Sequence, residues 1–186
     1  MFVRKSGMIP GEKTIVTYWL TPAEPARSYF ASVISDLAAR FEAPVFQPHL
    51  TIYVTKPEKK NAGTSLKHAL TDCRGAYRLS ISGIDHSDEF TKTVFVQFEP
   101  DEELTRLSAN FRRASGAHRE YELNPHLSLI YKTMSHETKK EIARSLTFPF
   151  EDVLFDSAKA VISPAKIESR ADVEGWRIVA EQRLAG

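Results

Sequence analysis

The chain has 186 residues, 42% of them hydrophobic and 26% charged, and its 25 Lys and Arg nearly cancel its 24 Asp and Glu. This length and composition suit one globular domain or two small lobes and exclude disorder for most of the chain. A net charge of +1 argues against a long nucleic acid as the partner, because proteins that track one carry a marked basic excess, and it favours a small anionic ligand.

Hydropathy and cysteine usage indicate the compartment. No apolar run approaches the roughly 18 residues that a membrane span requires, and the charged start of the chain lacks the apolar middle of a signal peptide. Cys73 is the only cysteine, which rules out an internal disulfide and suits a reducing compartment. We therefore predict a cytoplasmic protein without a membrane partner.

The first predicted unit is a strand, a helix and a second strand. Residues 14–20, TIVTYWL, are β-branched and aromatic, as strands are. In the TPAE that follows, Thr21 is predicted to cap a helix, with Pro22 in its first turn and Glu24 completing a capping box. Apolar residues then recur at helical spacing, and a break at Pro44 precedes the strand PHLTIYV.

A second unit of the same order lies in the other half of the chain. VFVQF is predicted to be a strand, PDEELTRLSANFRRA a helix, and NPHLSLIYK a strand. The distance from Val16 to His49 is 33 residues, and that from Phe95 to His126 is 31. The two units therefore deliver their histidines at nearly equal distances, which indicates an internal duplication.

The remaining elements complete two pseudo-symmetric halves. Helices are predicted in PEKKNAGTSLKHALTDC and SHETKKEIARSLTF, and further strands at 77–84, 158–162 and 175–184. No linker rich in Gly, Pro or Ser separates the halves. We predict an α+β fold in one domain, residues 1–186, whose halves span about 12–90 and 91–186. Residues 1–11 have no counterpart and are expected to be flexible.

Each histidine strand carries a small hydroxyl residue two positions after its histidine. Side chains two apart on a strand share a face, so His49 lies beside Thr51 and His126 beside Ser128. If an approximate two-fold axis relates the halves, the two pairs face one another across one cleft. Two histidines used only to fill a core would be costly, since each polar group buried without a partner costs roughly a few kcal/mol. We therefore predict a paired site.

Two imidazoles with hydroxyls between them suit in-line displacement at phosphorus. A neutral histidine can take a proton from the attacking water while a protonated one gives a proton to the leaving oxygen. Histidine titrates near about pH 6.5, so both forms are accessible. Hydroxyl groups can donate hydrogen bonds to the non-bridging phosphate oxygens. No metal or other cofactor is required, and neither histidine strand has a Cys, Asp or Glu at zinc-ligand spacing.

The other histidines have no counterpart in the opposite half and are interpreted as isolated surface residues. They are His68, His86, His118 and His136.

The doubled motif resembles the 2H phosphoesterases, and more narrowly their cyclic phosphodiesterase branch, over most of the chain. The segments that carry the resemblance are YWLTP with Trp19, FEAPVFQPHLTI, NPHLSLIY with Tyr131, and the closing GWRIVAEQRL. The resemblance implies a bilobal fold of antiparallel sheets and helices with both motifs in a central groove. It also implies metal-independent opening of a cyclic phosphate on a nucleotide or on ADP-ribose.

The resemblance assigns catalytic roles to four residues. His49 and His126 match the acid and the base, in an order that the sequence leaves open. Thr51 and Ser128 match the hydroxyls that hold the phosphate.

The resemblance also assigns two aromatic residues to substrate binding, Trp19 and Tyr131. For Trp19, a place in the apolar core is the open alternative. Strict alternation along the strand would place Tyr131 on the face opposite Ser128 unless the strand bends or bulges there. Lys92 is a further candidate for phosphate contact.

Three function classes stay open. The leading one is a monomeric cyclic phosphodiesterase that acts on a nucleoside 2′,3′-cyclic phosphate or on ADP-ribose 1″,2″-cyclic phosphate. The second is a relative that joins or opens 2′,5′ linkages at RNA ends, which would use the same four residues but should need a broader basic surface. The third is a non-catalytic nucleotide-binding module, against which the completeness of both motifs argues.

Overall fold

A computed structural model describes residues 14–56, 62–73, 75–116 and 121–184. The predicted flexible segment, residues 1–11, lies outside these ranges. The elements within them, in chain order, are β1 (Thr14–Pro22), α1 (Ala26–Phe41), β2 (Leu50–Thr55), α2 (Ala62–Ala69), β3 (Tyr77–His86), a 3₁₀ turn (Phe90–Lys92), β4 (Val94–Phe98), α3 (Glu102–Ser115), β5 (His126–Ile130), α4 (His136–Ser145), β6 (Asp152–Pro164), α5 (Arg170–Glu174) and β7 (Arg177–Arg183).

The strands form one antiparallel sheet in the order β1-β2-β5-β4-β3-β6-β7, and β1 also pairs with β6. The strands β2 and β5, which follow or contain the two histidines, are therefore neighbours. Each has its own second partner, β1 for β2 and β4 for β5. The predicted α+β class with antiparallel strands and flanking helices is confirmed, and the strands of the two halves join in one sheet.

A single residue pair, Leu50 with Leu127, joins β2 to β5. A local two-fold axis relates two antiparallel strands. Here the axis passes between Leu50 and Leu127, the middle residues of the two His-Leu-Thr/Ser motifs. Continued by one residue in each direction, the same register places His49 across from Ser128 and Thr51 across from His126. Each histidine is thus beside the hydroxyl residue of the other motif.

Both motif strands carry a β-bulge at the same position. The pairing of β2 with β1 skips Ile52, and the pairing of β5 with β4 skips Leu129. Each skipped residue comes directly after the motif hydroxyl. A bulge reverses the alternation of side chains beyond it, so Tyr131 reaches the same side as Ser128. The internal duplication stays a prediction, and a bulge shared at one motif position is what it would lead us to expect.

The beginning of α1 differs from the prediction. β1 includes Thr21 and Pro22, and α1 begins only at Ala26. Thr21 therefore lies in a strand and caps no helix. The carboxylate of Glu24 accepts a hydrogen bond from the backbone N–H of Ser28 at 3.1 Å, and so stabilises the first turn of α1.

Helix α5 was not predicted, because only five residues form it. Its start is set by a reciprocal capping box between Ser169 and Asp172. Because α5 and its C-cap occupy residues 170–175, the last strand begins at Arg177, two residues later than predicted.

The main core lies between the sheet and the helices. Phe30 of α1 and Phe111 of α3 are fully buried, and the ring of Phe111 stacks on Tyr18 of β1 with ring centroids 4.4 Å apart. The leucines of both histidine motifs, Leu50 and Leu127, belong to the same cluster. The apolar side of each histidine strand is therefore anchored in the core. No helix within the described ranges is long and apolar enough to cross a lipid bilayer.

Replacing Phe111 with Ala is expected to lower the free energy of unfolding by about 3–5 kcal/mol, because a fully buried ring leaves a cavity when it is removed. Urea denaturation of the two proteins measures this difference. Ala109→Ser, an exposed position on the same helix, should change the free energy by less than about 0.5 kcal/mol. Equal stability of Phe111→Ala and the wild type would contradict the placement of α3 against β1.

Candidate active site

A cavity of about 380 Å³ brings all six predicted site residues together. Its wall is completed by residues from β1, the 3₁₀ turn and the segment after β6. The predicted residues that line it are Trp19, His49, Thr51, His126, Ser128 and Tyr131.

Both imidazole rings are held by the same type of hydrogen bond. Nδ1 of His49 lies 2.7 Å from the carbonyl oxygen of Gln47, and Nδ1 of His126 lies 2.7 Å from that of Asn124. A carbonyl can only accept, so each Nδ1 carries the hydrogen. The Nε2 atoms are therefore the ones free to exchange a proton with a ligand.

The two histidines differ in their surroundings. His49 is buried and stacks on Trp19 with ring centroids 3.8 Å apart, and Trp176 approaches it edge-on at 5.7 Å. His126 is partly exposed and contacts the ring of Phe95 at 5.4 Å. One imidazole is enclosed by indoles, whereas the other borders the more open part of the cavity.

Burial lowers the pKa of both histidines. The pKa of His49 falls to about 4, chiefly because the ring is removed from water, and the positive charges of His126 and Lys159 lower it further. The pKa of His126 also falls through burial, with Lys92 lowering it and Glu89 opposing the shift. The carbonyls that hold Nδ1 oppose the shift in both cases. Both rings are therefore neutral at pH 7 in the free protein.

The two motif hydroxyls are not equivalent. The Ser128 hydroxyl donates a hydrogen bond to the carbonyl of Thr91 at 2.7 Å. The Thr51 hydroxyl is partly exposed in the cavity and has no hydrogen-bond partner among the described residues. Thr51 can thus donate to a ligand at once, whereas Ser128 must first release Thr91.

Tyr131 lies one residue beyond β5 and is almost completely buried. Its ring stacks on Phe46, with centroids 3.9 Å apart and planes 8° from parallel. Burial raises the pKa of the Tyr131 phenol. Tyr131 therefore stays protonated and supports the wall next to Ser128.

The 3₁₀ turn and Glu89 just before it, which come from a distant part of the chain, line the cavity beside His126. Glu89, Thr91 and Lys92 contribute to the wall, and the Lys92 ammonium lies 4.6 Å from the centroid of the Phe95 ring. The candidate phosphate contact Lys92 is thus beside the site. Glu89 and Thr91 were missed, because nothing in the local pattern of DEFTK indicates that it returns to the histidine strands.

A buried lysine holds this turn in place. The Lys139 ammonium on α4 donates to the carbonyl of Ser87 at 2.9 Å and forms an ion pair with the Asp88 carboxylate. The Ser87 hydroxyl in turn donates to the carbonyl of Lys92 at 2.6 Å. The position of the turn therefore depends on α4.

Trp176 is a further wall residue that the sequence analysis did not single out. It contacts the rings of Trp19 and Tyr131 edge-on at 5.1 and 5.9 Å. The only signal was its place in the closing segment GWRIVAEQRL, which carries part of the family resemblance.

Three of the histidines outside the motifs, His68, His86 and His136, do not line the cavity. His68 is exposed, and His118 falls outside the described residues. His86 and His136 are not isolated as the sequence predicts, because their ring centroids are only 4.9 Å apart. Within the described ranges, no group of three or more His, Cys, Asp or Glu side chains is arranged to hold a metal ion.

The fold and the doubled histidine motif define a 2H phosphoesterase. The fold matches the crystal structure of Escherichia coli LigT complexed with 3′-AMP, with a TM-score of 0.60 and 13% identity over 94% of this chain and 100% of that one. Usb1 of Kluyveromyces marxianus gives a TM-score of 0.50 and 10% identity over 95% of this chain and 100% of that one.

A family model described as cyclic phosphodiesterase-like protein matches residues 15–184. The chain belongs to this family, and it is a phosphodiesterase of the 2H superfamily. One curated relative, the cyclic phosphodiesterase of Arabidopsis thaliana, is 22% identical over 172 residues, which are 91% of this chain and 94% of that protein.

The lowered pKa of His49 should make the protein less stable in mild acid. Between about pH 6.5, where an unfolded histidine titrates, and pH 4, the unfolded chain binds a proton that the folded His49 does not accept. The free energy of unfolding should therefore fall by about 2–3 kcal/mol between pH 7 and pH 4.5 through this group. Urea denaturation at both pH values, for the wild type and His49→Gln, isolates the contribution. An equal fall in the two proteins would contradict it.

Proposed function

We propose that the protein hydrolyses a small cyclic phosphate, either a nucleoside 2′,3′-cyclic phosphate or ADP-ribose 1″,2″-cyclic phosphate, to a phosphomonoester. The observation that carries this proposal is the pair of histidines lining one cavity, each with Nδ1 bonded to a carbonyl and Nε2 available. The coarser family assignment supports a phosphodiesterase. What we propose beyond that assignment is that the substrate is a small cyclic phosphate.

The proposed reaction is a single in-line displacement. Nε2 of one histidine takes a proton from water as the water oxygen forms a bond to phosphorus. The bond between phosphorus and one ring oxygen breaks on the opposite side, and Nε2 of the other, protonated histidine gives that oxygen a proton. The net change is the addition of one water molecule, which turns a cyclic diester into a monoester and a hydroxyl.

The acid must gain its proton as the substrate binds, since both rings are neutral in the free protein at pH 7. The negative charge of the bound phosphate favours the protonated form of a nearby imidazole. Each histidine lies across from the hydroxyl of the other motif, so a phosphate between them would be within reach of Thr51 and Ser128. Thr51 is the donor that is available first.

A small substrate fits the cavity and the charge. A volume of about 380 Å³ suits a ligand of nucleotide size, and the net charge of +1 offers little gain from counterion release along a strand. Other LigT crystal structures carry ATP and NADP⁺. These complexes concern LigT, and they support the proposal that a related fold accepts ligands of this size. We further propose that the protein acts as a monomer in the cytoplasm.

The histidines should act as one unit. His49→Ala and His126→Ala are each expected to lower kcat/KM about 10²-fold or more, and the double variant should lose far less than the product of the two. The wild-type kcat/KM should pass through a maximum on the acidic side of about pH 6.5, because burial lowers the pKa of both groups. Near-normal turnover in either single variant would contradict the assignment.

Turnover should survive chelation. The histidine strands offer no carboxylate or thiol that would hold a divalent ion beside the imidazoles. We expect unchanged kcat after prolonged EDTA treatment and removal of the chelator. Loss of activity that one particular metal restores would show that the histidines act as ligands and not as proton carriers.

A substrate panel tests the reaction itself. The purified protein is incubated with 2′,3′-cyclic and 3′,5′-cyclic nucleotides, ADP-ribose cyclic phosphate, and an oligoribonucleotide with a terminal 2′,3′-cyclic phosphate. Products are identified by mass and retention. The strained five-membered rings should be opened fastest, since they hold the water and the leaving oxygen at nearly opposite positions on phosphorus. A clear preference for the oligoribonucleotide would favour the RNA-end alternative.

A further inference from the structure

Each histidine motif has an aromatic residue on its neighbouring strand. Trp19 of β1 pairs with Thr51, and Phe95 of β4 pairs with Ser128. Directly paired residues of antiparallel strands project to the same face. Each aromatic ring is consequently on the side of its strand that carries the histidine.

Each aromatic ring contacts one imidazole, and almost none of its surface is exposed to solvent. Trp19 stacks on His49 at 3.8 Å with 17° between the planes, and Phe95 meets His126 at 5.4 Å and 69°. Their exposed fractions are only 4% and 2%. One side of the Phe95 ring faces the Lys92 ammonium at 4.6 Å, and Trp176 meets Trp19 edge-on. Neither ring has a free face on which a nucleobase could stack.

We propose that Trp19 and Phe95 are matched positioning residues, which fix the ring planes of His49 and His126, and that Trp19 does not bind the nucleobase. This inference rests on the proposed function and changes the role that the family resemblance assigned to Trp19.

Two constraints then determine where each Nε2 points. The hydrogen bond to the carbonyl of Gln47 or Asn124 fixes Nδ1, and the aromatic ring prevents rotation of the imidazole about that bond. Proton transfer is sensitive to such placement, because a misplacement of about 1 Å can cost about 10²-fold in rate.

The first test compares two substrates that differ only in the base. Cytidine 2′,3′-cyclic phosphate and methyl β-D-ribofuranoside 2,3-cyclic phosphate are given to the wild type, Trp19→Leu and Trp19→Phe. Trp19→Leu should lower kcat at least about 10-fold on both substrates, with the ratio of their kcat/KM values unchanged, and Trp19→Phe should restore most of the loss. If Trp19 stacks on the base, Trp19→Leu would lower kcat/KM about 10-fold more for the cytidine compound. That outcome would overturn the inference.

Phe98 provides a control for Phe95 on the same strand. It is as deeply buried, but it contacts Phe155 in the core. Phe95→Leu should lower kcat on both substrates, whereas Phe98→Leu should lower the unfolding temperature with kcat unchanged. An equal loss of kcat in both variants would show that Phe95 acts only through the stability of the sheet.

A titration without substrate separates this inference from the proposed function. The imidazole of His49 is followed by NMR in the free wild type and in Trp19→Leu. Replacing the indole admits water, so the pKa of His49 should rise towards its ordinary value; the charged groups that act on it, His126 on β5 and Lys159 on β6, are unchanged. An unshifted pKa would overturn the role of Trp19.

If the wild type opens no cyclic phosphate, the proposed function fails, and this titration still decides the role of Trp19. If Trp19→Leu does not fold, Trp19→Phe is compared with the wild type in both the substrate test and the titration. The expected changes in kcat and in the pKa of His49 are then smaller.

Discussion

The site depends on one backbone pairing, between Leu50 of β2 and Leu127 of β5. Both leucines are fully buried, so the apolar sides of the two strands are committed to the core and the motif side chains must face the cavity. Side chains alternate along a strand, so a slip of one residue in either strand would turn the histidine of that strand towards the core. The large apolar area buried on one side therefore maintains the polar arrangement on the other.

The second requirement of the site is a defined proton on each imidazole, which the short segments before β2 and β5 provide. In QPH and NPH a proline separates the histidine from the residue whose carbonyl accepts the Nδ1 hydrogen. Proline restricts the preceding residue to extended backbone, and this restriction suits a carbonyl that must turn towards a side chain two residues later. Local backbone chemistry thus fixes the tautomer in both motifs.

The two motif histidines differ in their surroundings, and the proposed acid–base roles require such a difference. His49 lies between the indoles of Trp19 on β1 and Trp176 in the loop between α5 and β7, whereas His126 borders the 3₁₀ turn and its charged side chains. An acid and a base of the same residue type must differ in proton affinity, and surroundings of unequal polarity provide such a difference. The two motif strands bring the histidines together, and the segments outside the motifs give them different surroundings.

Local patterns in the sequence determined most of the elements, the two histidine motifs and the pairing of each histidine with a hydroxyl. Period-two and helical spacing are properties of neighbouring residues, and they are readable without the fold. Tertiary structure alone decided the extension of β1 through Thr21, the bulge that brings Tyr131 to the cavity, and the burial of Trp19. It also decided that Ser128 bonds Thr91, 37 residues away, and that Lys139 holds Ser87, 52 residues away. These contacts join distant segments whose proximity depends on how the whole sheet packs, and no local pattern encodes it.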